Sequence, residues 1–332
     1  MPKPIALLVF VIVEIVLLPI TVLGQFLFYI DFAVKIPGKN LNLTTYDPAF
    51  ARWILDALGK REDKAARLLT PALPGVSRLT LGLVFAPTMW LMRITDLTIN
   101  MYDYPVHRST GIIGALSHRT RFFDDALLGH LDRVEQVVIL GAGWDTRAYT
   151  LARREGVRVF EVDDAGMQVQ KRLALKAAKV DTTGVVFASV DFNLESWLDA
   201  LRRVDFDPDK PTFVLLEGVT YYLNPDAIEA TLQTVATKLA KGSAVAFDYV
   251  GQHIIEGEGS PLYRLLVPAT GFLGRHSAWV FGIRTDSPAQ QNLTAFLGEN
   301  GLRLAGYEPV GKPDQKQRLV GGLALAANDL ES

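Results

Sequence analysis

The chain has 332 residues, about twice the usual length of one domain, so either one large domain with an appendage or two modest domains would fit. Hydrophobic residues make up 49% and charged residues 21%, which excludes a disordered chain and indicates that some segment meets lipid. The net charge of -2 argues against nucleic acid as a partner, because no broad basic field exists to hold a phosphate backbone. With no cysteine and five scattered histidines, the sequence predicts neither a disulfide nor a metal site.

The excess of apolar residues is concentrated at the N-terminus. Residues 4–30 contain a single carboxylate, Glu14, and a helix of that length exceeds the roughly 30 Å hydrocarbon core of a bilayer. We interpret residues 1–36 as a membrane anchor helix, with a cleaved signal peptide or a buried or interfacial helix as the alternatives. Glu14 and Pro19 weaken the anchor, because a carboxylate at this depth is costly unless it is protonated, paired or turned toward protein. The flanking lysines barely favour a cytoplasmic position for the rest of the chain.

A second apolar stretch covers residues 79–92, which carry no charge and include Pro87. Its length suits a re-entrant, interfacial or core segment better than a second span, and proline is expected to interrupt a helix there. Between the two stretches, residues 47–69 alternate apolar and charged positions at helical spacing. We therefore predict that residues 37–104 form a helical, partly apolar segment that lies near the membrane or acts as a lid.

From about residue 134, short apolar runs alternate with amphipathic stretches, which is typical of an α/β fold with helices on both faces of a parallel sheet. The pattern predicts seven mostly parallel strands with a late hairpin, over residues 136–140, 158–162, 185–190, 212–216, 244–248, 302–310 and 318–326. It predicts helices over residues 146–155, 166–179, 194–203, 225–241 and 293–300.

The first predicted strand runs into Gly141 and Gly143, where glycine permits a tight turn and lets backbone amides approach a ligand. Thr146 stands where a dinucleotide fingerprint carries its third glycine, so a pyrophosphate packed against the next helix is less favoured. Asp163 ends the second strand about 20 residues after Gly143, the distance at which a carboxylate binds a ribose diol. This pattern alone does not separate a nicotinamide site from an S-adenosylmethionine site, and a plain turn beside a solvated acid is the alternative to both.

Four separated motifs resemble a known family. LGAGWDTR, FEVDD, SVDF and LLEGVTYYL occur in the order, and at roughly the spacing, found in class I S-adenosylmethionine-dependent methyltransferases of the leucine carboxyl methyltransferase type, including their bacterial relatives. A fifth motif, RTRFFD at residues 119–124, lies just upstream of the predicted sheet. The resemblance covers about residues 105–326 and implies a Rossmann-like methyltransferase domain over residues 105–332. It does not account for the N-terminal hydrophobic region.

The resemblance implies a set of residues that bind the cofactor, S-adenosyl-L-methionine. Arg119 matches the arginine that holds the methionine carboxylate, and a surface ion pair with Asp124 or Asp125 is the alternative. Asp191 matches the acceptor for the adenine amino group, with a helix cap as its alternative. The implied cofactor-binding residues are Arg119, Gly141, Gly143, Asp163, Asp191, Phe192 and Glu217.

Among these, Gly141 and Gly143 match the glycines that line the methionyl and ribose edge of the cofactor. Asp163 matches the acid that accepts from both ribose hydroxyls, and Glu217 matches the residue under the methionyl group at the end of the fourth strand. Asp145 and Arg147 match family-specific supports of the glycine turn and are able to pair with each other.

Methyl transfer to an oxygen is an in-line displacement, so the expected tasks of the protein are alignment and exclusion of water. A carboxylate acceptor needs no general base, whereas a hydroxyl needs one near the carboxyl edge of the sheet. His253 is the candidate base in the sequence, although a histidine in a loop is often merely solvated. Tyr221, Tyr222 and Tyr249 are candidates for the wall of the acceptor pocket, with packing in the core or rim as the alternative.

A membrane anchor makes sense for a protein with a water-soluble cofactor mainly if the acceptor is lipophilic. We therefore expect O-methylation of a carboxyl or hydroxyl on a hydrophobic small molecule, such as an isoprenoid, polyketide or fatty-acid derivative, with membrane lipid as a second partner and the catalytic domain facing the cytoplasm. The alternatives are a catalytically silent membrane scaffold and a nicotinamide-dependent oxidoreductase. The latter would not explain Arg119, Asp191 and Glu217 together.

Overall fold

The computed structural model describes residues 2–36, 41, 43–99, 102–106, 112–192, 194–260, 263–264, 267 and 278–329. The helices are α1 (Lys3–Lys35), α2 (Tyr46–Ala57), α3 (Lys64–Leu69), α4 (Arg78–Thr95), α5 (Ile112–Leu128), α6 (Ala165–Ala178), α7 (Trp197–Arg202), α8 (Pro225–Lys238), α9 (Gln252–Ile255) and α10 (Ala289–Glu299). The strands are β1 (Gln136–Leu140), β2 (Arg158–Asp163), β3 (Val185–Ser189), β4 (Thr212–Leu216), β5 (Ala244–Val250), β6 (Arg303–Val310) and β7 (Gly321–Ala327).

One seven-stranded sheet organises the domain, in the order β3-β2-β1-β4-β5-β7-β6. The first five strands pair in parallel, and β7 is antiparallel to both of its neighbours. β1 and β4 are apolar and buried at almost every position because both of their faces are covered. The prediction of seven mostly parallel strands with a final hairpin is confirmed, and the last strand begins at Gly321 rather than at residue 318.

Helices cover both faces of the sheet, and each face has its own core. Successive residues of β1 alternate between the two cores: Val137 and Ile139 belong to one, and Val138 and Leu140 to the other. The first core receives side chains from α1, α2, α5 and α6, and the second from α7, α8 and α10. The C-terminal end of α1, together with α2, is therefore part of the core on one face of the sheet.

The helix predicted over residues 146–155 is wrong, because the structure has only a short 3-10 turn at Arg147–Tyr149 followed by further turns. The side chains that begin this segment bond to partners elsewhere in the fold: Thr146 to Asp63, and Tyr149 to Glu161. These tertiary hydrogen bonds outweigh the modest helical preference of the sequence. The other predicted helices are present with shifted ends, and α7 starts later than predicted, after Ser196.

The N-terminal helix α1 packs along α4, and the two form a pair beside the sheet domain. Gly24 of α1 allows this close approach, since a Cβ there would overlap the backbone and side chain of Leu83. Glu14 accepts a hydrogen bond from the Thr88 hydroxyl at 2.8 Å, so the expected turning of this carboxylate toward protein is observed. Pro87 lies inside α4 without ending it, contrary to the expected interruption, because packing against α1 supports the helix on both sides of the proline.

Most of α1 has no protein around it. Among the described residues, α1 is the one helix long and apolar enough to cross a membrane, and its length and composition fit either a membrane span or a signal sequence. Its exposed apolar side chains are Ile5, Leu7, Leu8, Val11, Ile12, Ile15, Val16, Leu18, Ile20, Val22, Leu23, Phe26, Tyr29, Ile30 and Val34.

Candidate functional site

A cavity of about 330 Å³ lies beyond the carboxyl ends of β1, β2 and β4. The order of the strands reverses between β1 and β4, and in open α/β sheets ligands bind at such a point. The predicted cofactor residues that line this cavity are Arg119, Gly141, Gly143, Asp163, Asp191, Phe192 and Glu217. We call it the cofactor cavity.

The turn after β1 forms the floor of the cofactor cavity. Gly141 and Gly143 have φ angles of 63° and 39°, in the left-handed region that side chains disfavour. At Gly141 a Cβ would also overlap the side chain of Val219, so glycine is required there for space as well as for conformation. The Gly143 amide donates to the Asp163 carboxylate at 2.6 Å, which joins the turn to the end of β2.

Asp163 faces the cofactor cavity from the end of β2. Besides the Gly143 amide, its carboxylate accepts from the backbone amide of Asp164 at 2.8 Å. Burial raises the pKa of Asp163 to about 6, although these two amides favour the ionised form. A carboxylate at this position is able to accept hydrogen bonds from a diol. Asp191 and Phe192 line the same cavity after β3, where they offer a hydrogen-bond acceptor and an aromatic face.

A buried cluster of arginines and carboxylates supports the other side of the cavity. Glu217, which follows β4, accepts from Arg52 at 2.6 Å, from Arg119 at 3.0 Å and from Arg147. Burial alone would raise the pKa of Glu217, but the surrounding guanidinium groups lower it to about 2, so this carboxylate is ionised. The pairing of Arg147 with Asp145 is present as well, with 2.6 Å between Nη1 and Oδ2.

Arg119, on α5, reaches the cavity between two carboxylates. Its guanidinium donates to Glu217 and, at 3.1 Å, to Asp248, and it lies 3.3 Å from the Tyr221 hydroxyl. The alternative of a surface ion pair is wrong, because Asp124 pairs with Arg61 and Arg147 while Asp125 pairs with Arg121. Within the described part of the chain, Nη2 of Arg119 donates to no partner. A ligand carboxylate therefore has a donor available at this place.

A second cavity, of about 480 Å³, lies on the other side of Arg119 and Tyr221, which line both cavities. We call it the acceptor cavity, after the role that we propose for it below. Its wall is mainly apolar or aromatic, and its charged lining residues are Asp47, Arg119 and Asp248. Aliphatic and aromatic lining residues include Phe50, Ala51, Phe85, Ala115, Leu116, Tyr249, Val250, Trp279, Val310, Val320 and Leu323.

The predicted catalytic residues fall in different places. Tyr221 lies between the two cavities, Tyr222 lines the cofactor cavity, and Tyr249 lines the acceptor cavity. Burial raises the pKa of Tyr221 well above its usual range, so this phenol stays protonated and does not act as a base. His253 lines neither cavity; it is buried 3.4 Å from the Thr285 hydroxyl. The structure thus brings the tyrosines to the site and leaves the histidine outside it.

Sequence reasoning missed three charged residues of the site: Arg52, Asp47 and Asp248. Asp248 ends a predicted strand, so its place at the carboxyl edge was available from the pattern. Arg52 and Asp47 lie on α2, more than 80 residues before β1, and neither has a motif that ties it to the sheet. The segment predicted as a lid therefore supplies part of the wall of both cavities.

The fold and the site define a class I methyltransferase architecture, and comparison with known proteins gives the family. A family model described as leucine carboxyl methyltransferase matches residues 80–236. The chain is 31% identical over 220 residues to a protein of Streptomyces avermitilis named as an S-adenosyl-L-methionine-dependent methyltransferase, covering 63% of this chain and 72% of that one. The chain belongs to the S-adenosyl-L-methionine-dependent methyltransferases, and within it residues 80–236 match the leucine carboxyl methyltransferase model.

Other relatives are matched over a shorter part of their length. A protein of Mycolicibacterium gilvum whose name assigns it to the same methyltransferases is 36% identical over 176 residues, and the chain spans 57% of it. A solved structure, of an O-methyltransferase family protein from Burkholderia thailandensis, has a TM-score of 0.44 and 13% identity, covering 66% of this chain and 61% of that one.

The residues of the cofactor cavity fit S-adenosyl-L-methionine, the cofactor of the family. The cofactor presents a carboxylate, a ribose diol and an adenine ring. The cavity is lined by the side chains of Arg119, Asp163, Asp191 and Phe192, which offer a guanidinium, two carboxylates and an aromatic ring. Within the described residues, no group of three or more histidines and carboxylates is placed to hold a metal ion.

Proposed function

We propose that this protein transfers a methyl group from S-adenosyl-L-methionine to a carboxyl or hydroxyl oxygen of a hydrophobic small molecule at a membrane. The observation that carries the proposal is the acceptor cavity, which is mainly apolar and meets the cofactor cavity at Arg119 and Tyr221. An apolar acceptor gains free energy by leaving water for such a cavity. The apolar helix α1 supports action at a membrane, since a soluble cofactor gives no reason for one.

Bound S-adenosyl-L-methionine would supply a methyl group activated by a sulfonium. Arg119 would hold the carboxylate of the cofactor, and Asp163 would hold its ribose, which orients the reacting end toward the acceptor cavity. As the acceptor oxygen forms its bond to the methyl carbon, the carbon–sulfur bond breaks and S-adenosylhomocysteine leaves. The apolar walls of the acceptor cavity would keep water from competing with the acceptor oxygen.

A hydroxyl acceptor must also lose a proton, and of the two carboxylates that line the acceptor cavity, Asp47 and Asp248, we assign this role to Asp47. Asp248 already accepts from Arg119 and from the Gly218 amide, at 3.1 and 2.7 Å. Asp47 also lines the acceptor cavity, and it makes no hydrogen bond to any described residue. Desolvation raises the pKa of Asp47 above its usual range, against the opposing effect of the Arg119 charge, and so makes this carboxylate a stronger base. A carboxylate acceptor would not need this residue.

The test is to incubate membranes that contain the full chain with S-adenosyl-L-methionine labelled on the methyl group, and to identify the labelled product. We expect a lipid-extractable methyl ester or methyl ether. Asp47→Asn should slow formation of an ether by 100-fold or more, the usual range for loss of a general base, and should leave formation of an ester nearly unchanged. Absence of any labelled small molecule, with cofactor binding intact, would favour the silent scaffold.

The orientation is tested separately, in sealed vesicles. S-adenosyl-L-methionine is a cytoplasmic cofactor, so the catalytic domain should face the cytoplasm and the start of α1 the opposite side. External protease should spare the domain in right-side-out vesicles and cleave it in inverted ones. The reverse pattern would refute the orientation while leaving the methyl transfer itself untouched.

A further inference from the structure

A third cavity, of about 190 Å³, lies between α1, α2 and α4. We call it the crevice. α1 contributes Gln25, Phe28 and Tyr29, and α4 contributes Thr80, Leu81, Val84 and Phe85. The ring of Tyr29 is itself half exposed on the surface of α1, so the crevice begins on the face where α1 is uncovered.

The crevice and the acceptor cavity share part of their walls. Asp47, Phe50 and Phe85 line both of them. The rings of Phe50 and Phe85 stand between the two spaces, with their centroids 5.6 Å apart. The boundary includes these two rings, and a side chain changes rotamer far more readily than a backbone moves.

The crevice, the acceptor cavity and the cofactor cavity lie one after another and together outline a path. It begins at the uncovered side of α1, passes through the crevice to the rings of Phe50 and Phe85, continues through the acceptor cavity, and ends at Arg119 beside the cofactor cavity. Its lining is apolar or aromatic for most of its length, and its carboxylates are Asp47 and Asp248. A molecule with a hydrocarbon part and one polar group matches this lining, since its hydrocarbon part would stay out of water along the whole path.

We infer that the crevice between α1 and α4 is a lateral entry site, through which the hydrocarbon part of the acceptor passes from the bilayer, and that Phe50 and Phe85 form its gate. This inference rests on the proposed function, because it assumes a lipophilic acceptor and α1 in a membrane. It adds a binding site for the acceptor tail outside the catalytic cavities, and it gives α1 a part in substrate delivery as well as in attachment.

The experiment uses the full chain in phosphatidylcholine nanodiscs with hexadecanol that carries a terminal diazirine. After irradiation, mass spectrometry measures labelling of the peptide around Phe50 and of the peptide that contains Tyr249, which lines the acceptor cavity. Phe85→Trp enlarges one gate residue and should reduce labelling of the Tyr249 peptide at least fivefold. Phe85→Leu opens the gate and should increase it. Phe26→Trp, on the exposed side of α1, is the matched control and should change nothing.

Labelling confined to the exposed side of α1, or labelling of the Tyr249 peptide that neither Phe85 variant changes, would overturn the inference. The two Phe85 variants act in opposite directions, so general destabilisation does not imitate the expected result. Calorimetric titration with S-adenosyl-L-methionine is run on the same samples. A protein that labels as expected but methylates nothing would contradict the proposed function alone, and a protein that methylates soluble acceptors without labelling would contradict the entry site alone.

Discussion

Arg119 is central to the site, because it lines both cavities and forms ion pairs with two carboxylates at once. Its planar group spreads these bonds over separate nitrogens and, among the described residues, leaves Nη2 without a partner. A lysine ammonium has the same charge but presents its donors from a single point. The geometry, rather than the charge alone, is therefore what the site requires.

We predict that Arg119→Lys weakens binding of S-adenosyl-L-methionine by roughly 10- to 100-fold, the equivalent of one or two charged hydrogen bonds. Isothermal titration measures the affinity. Arg121→Lys is the matched control, since Arg121 lies on the same helix and pairs with Asp125 and Glu308 outside both cavities. Its affinity should stay within twofold of the unmodified protein. Equal effects of the two substitutions would remove Arg119 from the cofactor site.

The pKa of Asp163 predicts how cofactor binding depends on pH. Only the ionised carboxylate accepts two hydroxyl hydrogen bonds, and burial raises the pKa of Asp163 to about 6. Affinity should therefore be level above pH 7 and fall as pH drops below 6. Glu217, whose pKa is lowered to about 2, stays ionised throughout this range. The measurement is a titration series from pH 5 to 8; Asp163→Asn should bind weakly at every pH and lose the slope, and a level profile for the unmodified protein would contradict the assignment.

At the scale of secondary structure, the strands were predictable and one helix was not. β1 and β4 are buried on both faces, so they appear as short apolar runs that are clear in the sequence. The segment at residues 146–155 has a helical pattern, but ion pairs with Asp124, Asp145 and Glu217 hold Arg147 in place. The spacing of these partners along the sequence follows no helical or strand period, so the pattern does not reveal them. Arg52 was missed for the same reason, since an ion pair across 165 residues leaves no local signal.

The geometry of the turn after β1 predicts how much stability is lost when a glycine there is replaced by alanine. Gly141 and Gly156 both have positive φ, but only at Gly141 would a Cβ meet another residue, Val219. Both alanine substitutions should cost about 1 to 2 kcal/mol for the backbone conformation, and Gly141→Ala should cost about 1 to 3 kcal/mol more for the overlap. Urea denaturation measures the difference, and titration should show that only Gly141→Ala impairs cofactor binding. Equal losses of stability would mean that Val219 moves aside freely.

At the scale of the whole molecule, the end of α1 belongs to the core of the domain. Phe28 packs edge-to-face on Phe50, and Phe32 does the same on Tyr46, with ring centroids 5.7 and 5.3 Å apart. All four of these side chains are buried in the core on the α2 side of the sheet. An anchor defined by hydropathy as residues 1–36 thus includes side chains that the folded domain uses.

Two shortened chains test this overlap. A chain that starts at residue 36 loses Phe28 and Phe32 and should be destabilised by about 3 to 6 kcal/mol, the value of burying two large apolar side chains. A chain that starts at residue 25 keeps both and should unfold nearly as the full chain does in detergent. Thermal unfolding and cofactor titration compare them. Equal stability of the two would mean that the aromatic contacts contribute little.

These contacts also fix the distance between α1 and the cofactor cavity. One short helix, α2, touches α1 through Phe50 on one side and the carboxylates under the cofactor cavity through Arg52 on the other. With α1 in a bilayer, the domain would therefore be packed against its anchor rather than joined to it by a flexible linker. The reaction centre would then lie at a fixed distance from the lipid. Such an enzyme would select acceptors by how deep their reactive oxygen lies in the membrane, in addition to their chemical structure.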